Sequence, residues 1–311
     1  MIDAAGLLDT EPMPWWHRPV SDGASLRDKP LPPGEGVPQA LTAIFGVLDQ
    51  LPELRCVPCR VVGDRIVTLF LADMVDLRAG SASARDPYED ARHVREACVR
   101  SFDRFADADP VLRQALVRAD VAPTPFPVAA RYATARRTFA EVLDCHTDLP
   151  ERLPDGLLSG RSTLFCDPKP ANFLVPANER DQLGRPDAAE PIRVDLDLLH
   201  YECPISLQLV VALFAHPVSL CCNGSRADGI EDQVEAAYAA ASRYGVDTYE
   251  VDAMLVYHLV RNFSSAVQQS EDAKAQGLAP LLEWALTELV VAGAPVVTVR
   301  RLREWMDGHA G

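Results

Sequence analysis

The chain has 311 residues, 48% of them hydrophobic, with mean hydropathy near zero and a formal charge of −15. That length builds one large domain or two unequal lobes, and no run of about 18 uncharged apolar residues is present to cross a membrane. The charge argues against a nucleic-acid or anionic-membrane partner, which needs a basic field, and it is compatible with a cationic ligand.

Met1-Ile-Asp-Ala-Ala lacks the basic start and apolar core of a secretory signal peptide, so the expectation is a cytoplasmic protein. Its eight cysteines show no disulfide-framework spacing and read as reduced, buried small hydrophobes. Cys56-Val-Pro-Cys59 has no second pair or paired histidines, which argues against zinc. Only three of the thirty basic residues are lysines (Lys29, Lys169 and Lys274), so each lysine's position is informative.

Residues 1–38 are rich in Pro and Gly and read as irregular. Trp15 and Trp16 pin that segment to the body or, alternatively, form a partner-docking tip. Gly34-Glu-Gly36 has two prolines and no strand before it, and reads as a turn rather than a phosphate loop. Leu41, Ile44, Phe45 and Leu48 predict a helix over Val37–Leu51. Cys56–Val62 and Arg65–Leu71 read as two strands joined by a tight turn at Gly63-Asp64. Ala72–Asp76 leads into a small-residue linker, Arg78–Ala84, where a domain boundary is expected: 1–76 with mixed strands, 77–311 mainly helical.

Asp86-Pro87 starts a helix to about Phe105, and Asp109-Pro110 repeats the signal for a short helix through Leu116. A third helix spans Pro127–Cys145, with Arg131, Arg136 and Arg137 read as its solvent face. Pro176–Pro191 is polar and reads as an exposed insert between short strands. Helices are then expected at Ile205–Ala215, Ile230–Tyr244, Tyr249–Gln268, Leu278–Val291 and Val297–Met306. His258, on an apolar face, reads as a satisfied core histidine rather than a ligand.

The chemistry concentrates in Leu164-Phe-Cys-Asp-Pro-Lys-Pro-Ala-Asn-Phe-Leu-Val175 and in Ile192-Arg-Val-Asp-Leu-Asp197 downstream. Carboxylate, amide and carboxylate on loops beside short strands can bind Mg²⁺ and orient a hydroxyl. Asp167-x-x-x-x-Asn172, an apolar strand, then a strand ending at Asp195 resembles the active centre of the protein-kinase-like fold, most closely the aminoglycoside phosphotransferase and choline kinase branch. Pro204 has the spacing of that branch's Gly-Asp-Pro proline, and Lys169 matches the catalytic-loop lysine of Ser/Thr kinases.

The resemblance implies a bilobal α+β fold, with a small β-containing N-lobe and a large helical C-lobe. It implies phosphoryl transfer from ATP, with Asp167 and Lys169 catalytic and Mg²⁺ held by Asn172, Asp195 and Asp197. Ala72 and Met74 fall at the adenine-receiving hinge, and Lys29 is the lysine available for the ATP phosphates. The implied acceptor is a hydroxyl of a small natural product such as an aminoglycoside, or a Ser/Thr of a lanthipeptide-type biosynthetic peptide. The alternative is a pseudokinase serving as a nucleotide-binding or scaffold subunit of a biosynthetic complex.

Four departures stand out. The family histidine two before the Asp is Phe165, and the Asp three after the family proline is Leu207. The Asn172-to-Asp195 gap is longer than usual, and no lysine occurs between Lys29 and Lys169. Arg60 or Arg65 would be the substitute cation, and Asp49 the only acid on the first helix to pair with it.

Overall fold

A computed structural model of the chain describes residues 25–70, 73–78, 87–153, 161–183, 190–221, 230–289 and 295–309. Trp15, Trp16, Ala72, Asp86 and most of the Arg78–Ala84 linker lie outside the described residues. The fold class is α+β, with helices and small three-stranded sheets. The chain packs as two units, Met1–Pro125 with Leu164–Glu202, and Phe126–Thr163 with Cys203–Gly311. The sequence-based boundary after residue 76 falls inside the first unit.

In the first unit, α1 (Val37–Leu48) forms because Val37, Ala40, Leu41, Ile44, Phe45 and Leu48 make one buried stripe at helical spacing. Gly36 caps its start at φ 74°, a conformation glycine adopts without a Cβ penalty. Strands β2 (Cys59–Val62) and β3 (Arg65–Phe70) form the expected hairpin, paired from Val62↔Arg65 across Gly63-Asp64, with Gly63 at φ 60°. A further strand, β1 (Ser25–Pro30), lies antiparallel to β3 with Lys29 opposite Ile66. This corrects the reading of residues 1–38 as irregular. Ser-Leu-Arg-Asp-Lys-Pro has no alternating apolar pattern, so β1 depends on the hydrogen bonds β3 offers rather than on its own propensity. The sheet order is β1-β3-β2, with α1 packed against β2.

Helix α2 (Pro87–Arg118) runs unbroken through Asp109-Pro110, where two helices were expected. Proline removes one intrahelical N–H, but the apolar face continues on both sides of it, with Val94, Cys98, Phe102 and Phe105 before and Leu112, Ala115 and Leu116 after. Asp109 is not a cap; its carboxylate is engaged by Leu164 and Arg113. Strand β4 (Met74–Asp76) is an edge of the second sheet, paired with β7 (Phe173–Pro176), which pairs in turn with β8 (Ile192–Arg193). Between them the insert is partly anchored. Buried Arg180 donates to both carboxylate oxygens of Asp90, at 2.7 and 3.0 Å, and to the Leu77 carbonyl at 2.5 Å. In a third sheet of order β5-β9-β6, the short β5 (Thr124–Pro125) runs parallel to the start of β9 (Tyr201–Pro204), whose other neighbour is β6 (Ser162–Leu164).

The second unit is helical, and its core is built on the helix Thr248–Gln268, which buries residues from Val251 to Ala266. Asp247 caps that helix by accepting the Tyr249 N–H at 2.7 Å. Around it lie the helices Val128–Val142, Ile205–Cys221, Ile230–Arg243, Asp272–Glu288 and Val296–Gly308. Two run longer than expected, the one from Ile205 past Ala215 and the one from Asp272, which carries Pro280 in its interior. Arg136 is not purely a solvent residue: its guanidinium donates to the carbonyls of Leu149 and Thr147, at 3.0 and 3.3 Å. His258 is buried, as expected of a core histidine, but its Nε2 has no hydrogen-bond partner among the described residues.

Candidate active site

The described residues singled out in the sequence fall in the first unit, on two loops and two strands. Pro168 and Pro170 stiffen the turn after Leu164, and a 3₁₀ turn at Pro170–Asn172 delivers the chain to β7. Asp167 is 5% exposed and adopts φ 44°, a left-handed conformation that Asp tolerates better than most residues. Its Oδ2 accepts from the Lys169 ammonium at 2.6 Å and from the Asn172 amide at 2.9 Å. Asn172 also donates to the Asp167 carbonyl at 3.0 Å, closing the loop on itself. Oδ1 of Asp167 takes part in none of these bonds.

The second loop follows β8. Val194 donates its N–H to the Asn172 carbonyl at 2.9 Å, which ties the two loops together at the backbone. Asp195 again has positive φ, 62°. The Lys29 ammonium, carried in by β1, bonds Asp195 and lies 3.0 Å from Asp197. Asp197 opens the 3₁₀ turn Asp197–His200, on which α1 packs.

The charges respond to one another. Burial pushes the Asp195 carboxyl up, but the hydrogen bond and charge of Lys29, with the charge of Lys169 behind them, hold it below the usual carboxylate range. Asp197 goes the other way: burial and the neighbouring Asp195 charge raise it, against Lys29. Burial lowers Lys29, yet its two acidic partners leave it above the ordinary lysine value. Two carboxylates and one ammonium thus form a single titrating group. Lys169 joins this cluster to the Asp167 loop, because it pairs with Asp167 at 2.6 Å and its charge also acts on Asp195.

Lys29, Asp167, Lys169, Asn172, Asp195 and Asp197 are therefore brought together. Met74 sits on β4, opposite Pro176. Arg60 is directed elsewhere, to Asp49 and to the Cys59 carbonyl, so α1's acid pairs with an arginine and not with Lys29. Cys56 and Cys59 are buried thiols, with Cys59 pushed up to about 11 by burial.

Asp195, Asp197 and the side-chain oxygen of Asn172 are oxygen donors of the kind a hard cation takes. Among the described residues no set of three or more His, Cys, Asp or Glu forms a closed metal cage. Mg²⁺ does not need one, since it is commonly held by one or two carboxylates together with substrate phosphates. The Lys29 ammonium already bridges the acid pair as a cation. Because Lys29 and Asp195 are both more than a third exposed, that contact is worth at most about 1 kcal/mol and is readily exchanged.

Sequence reasoning missed two features of this site. One is β1, which carries Lys29; the rarity of lysine was its only signal. The other is Asp109, which reaches the loop from α2. No family model matches the chain, and no curated protein is significantly similar to it.

Proposed function

We propose that the chain is an ATP- and Mg²⁺-dependent O-phosphotransferase with a protein-kinase-like fold. Its acceptor would be a hydroxyl of a small natural product or of a Ser/Thr in a biosynthetic peptide. The observation that carries this reading is the meeting of Lys29 with Asp195, beside a loop whose catalytic carboxylate is fixed by an amide and a second ammonium. The order strand–helix–hairpin, with β1-β3-β2 pairing, supports it: kinase N-lobes carry the phosphate-binding lysine on the strand preceding their regulatory helix. Here Lys29 precedes α1 in the same way. The intact Asp167–Lys169–Asn172–Asp195 set favours an enzyme over a scaffold.

In this reading Asp167 uses Oδ1 to orient the acceptor hydroxyl and take its proton, while Oδ2 stays bound to Lys169 and Asn172. Lys169 offsets charge on the transferring group. Asp195, Asp197 and the side-chain oxygen of Asn172 are the ligands available to Mg²⁺, whose chemistry is to neutralise the phosphate oxygens. Lys29 supplies the ammonium for the nucleotide phosphates. Among the described residues β4 is an edge strand, and the side of it away from β7 is where adenine can bond the backbone at Met74.

Asp167→Ala tests the assignment. With water standing in for the acceptor hydroxyl, it should leave Mg²⁺-ATP affinity within about twofold and lower phosphate release from ATP by at least about a hundredfold. Undiminished turnover would remove Asp167 from the role of base.

A further inference from the structure

We propose that Asp109, acting with Arg113 and Glu202, is the positioning unit of the Asp167 loop. Asp109 lies in the middle of α2, 8% exposed, and its two carboxylate oxygens have different tasks. Oδ1 accepts the backbone N–H of Leu164 at 2.8 Å, and Oδ2 accepts Nε of Arg113 at 2.6 Å. Arg113 reaches on with Nη2 to Glu202 Oε1 at 2.9 Å. Glu202 is on β9, where the carbonyl of the preceding residue, Tyr201, accepts the N–H of Phe165 at 2.8 Å.

Of the two backbone N–H groups leading into Cys166-Asp167, that of Leu164 is held by Asp109 itself, and that of Phe165 by the β9 backbone, to which the Asp109–Arg113 pair is tied through Glu202. A left-handed Asp167 persists only where its flanks are over-determined. Neither Phe165 nor Leu207, both buried and apolar, can supply polar anchorage. Asp109 does so from a different element. This also explains why Asp109-Pro110 does not start a helix: the carboxylate that would cap one is used in a tertiary contact.

The turnover part of this proposal rests on the phosphotransferase reading; the anchoring part does not. The test compares wild type, Asp109→Ala and Arg113→Gln as full chains. It uses amide hydrogen exchange of the peptide covering 164–172, with a peptide from 248–268 as control, together with Mg²⁺-ATP affinity and phosphate release from ATP. Losing a buried charge-assisted bond should accelerate exchange in 164–172 about tenfold or more, with the control peptide unchanged. Nucleotide Kd should stay within about twofold while turnover falls about tenfold to a hundredfold, the signature of a misplaced group rather than a lost binding site. Arg113→Gln should act in the same direction but less.

Unchanged exchange of 164–172 in both variants, or affinity falling as far as turnover, overturns the proposal. If Asp109→Ala accelerates exchange everywhere, Arg113→Gln decides, and an unchanged loop in that variant refutes it. A wild type that neither binds nor hydrolyses ATP sinks the phosphotransferase reading, and the exchange measurement alone then judges the anchor.

Discussion

The ammonium of Lys29 rests on the carboxylate of Asp195, 166 residues further along the chain. One cation from an edge strand therefore satisfies the acid pair in which a metal and nucleotide phosphates are proposed to bind. The contact stores little energy, since both partners are partly exposed. It marks where the strand and the acidic loop meet.

Lys29→Met separates the two proposed tasks of this residue. Removing the competing ammonium should leave Mg²⁺ access to the acids intact or improved, while nucleotide loses its phosphate contact. Turnover is expected to fall at least about tenfold, with weaker ATP affinity, since a charge-assisted bond contributes about 1.5–3 kcal/mol. Phosphate release and ATP titration measure this. Wild-type values for both would show that Lys29 is only a surface pair.

His258 predicts an acid sensitivity of the second unit. Burial, aided by the charge of Arg261, lowers it from 6.5 to about 3. The unfolded chain therefore takes up a proton between those values that the folded chain refuses. Stability is full above pH 6.5 and is lost as pH falls, by up to about 1.4 kcal/mol per unit. Urea unfolding at pH 7.5 and 5.0 should show about 2 kcal/mol more loss in wild type than in His258→Leu. Equal losses would mean that His258 titrates normally in the fold.

Arg193 predicts an unusual gain. Its guanidinium is fully buried between Phe105 and Phe173, 5.1 and 5.0 Å from the ring centres, and none of its three nitrogens has a hydrogen-bond partner among the described residues. Cation–π attraction returns about 2 kcal/mol, less than the penalty of burying an unpaired charge. Arg193→Met keeps most of the volume and should raise stability by about 1 kcal/mol or more. Arg193→Ala should lower it by about 2–4 kcal/mol through the cavity it leaves. A loss above about 2 kcal/mol in the Met variant would contradict this account.

Where local signals agreed with tertiary demand, the sequence was readable. The stripe from Val37 to Leu48 and the Gly63-Asp64 turn each carry their own structural reason, and both are present. The order and spacing of Asp167, Asn172 and Asp195 singled out residues that the fold brings together. Strand β1 was illegible because its stabilising partner, β3, lies some forty residues away and its own residues are polar. Asp109-Pro110 misled because a cap and a tertiary anchor use the same carboxylate. The contact between Lys29 and Asp195 could not be read either, since nothing local in either segment encodes the other.

The measurement that bears most directly on the central claim is calorimetric titration of ATP, with and without Mg²⁺, into wild type and Asp195→Asn. The account predicts Mg²⁺-dependent binding by wild type and loss of that dependence in the variant. Wild type failing to bind ATP at millimolar concentration with Mg²⁺ present, or Asp195→Asn binding it equally well, would contradict it.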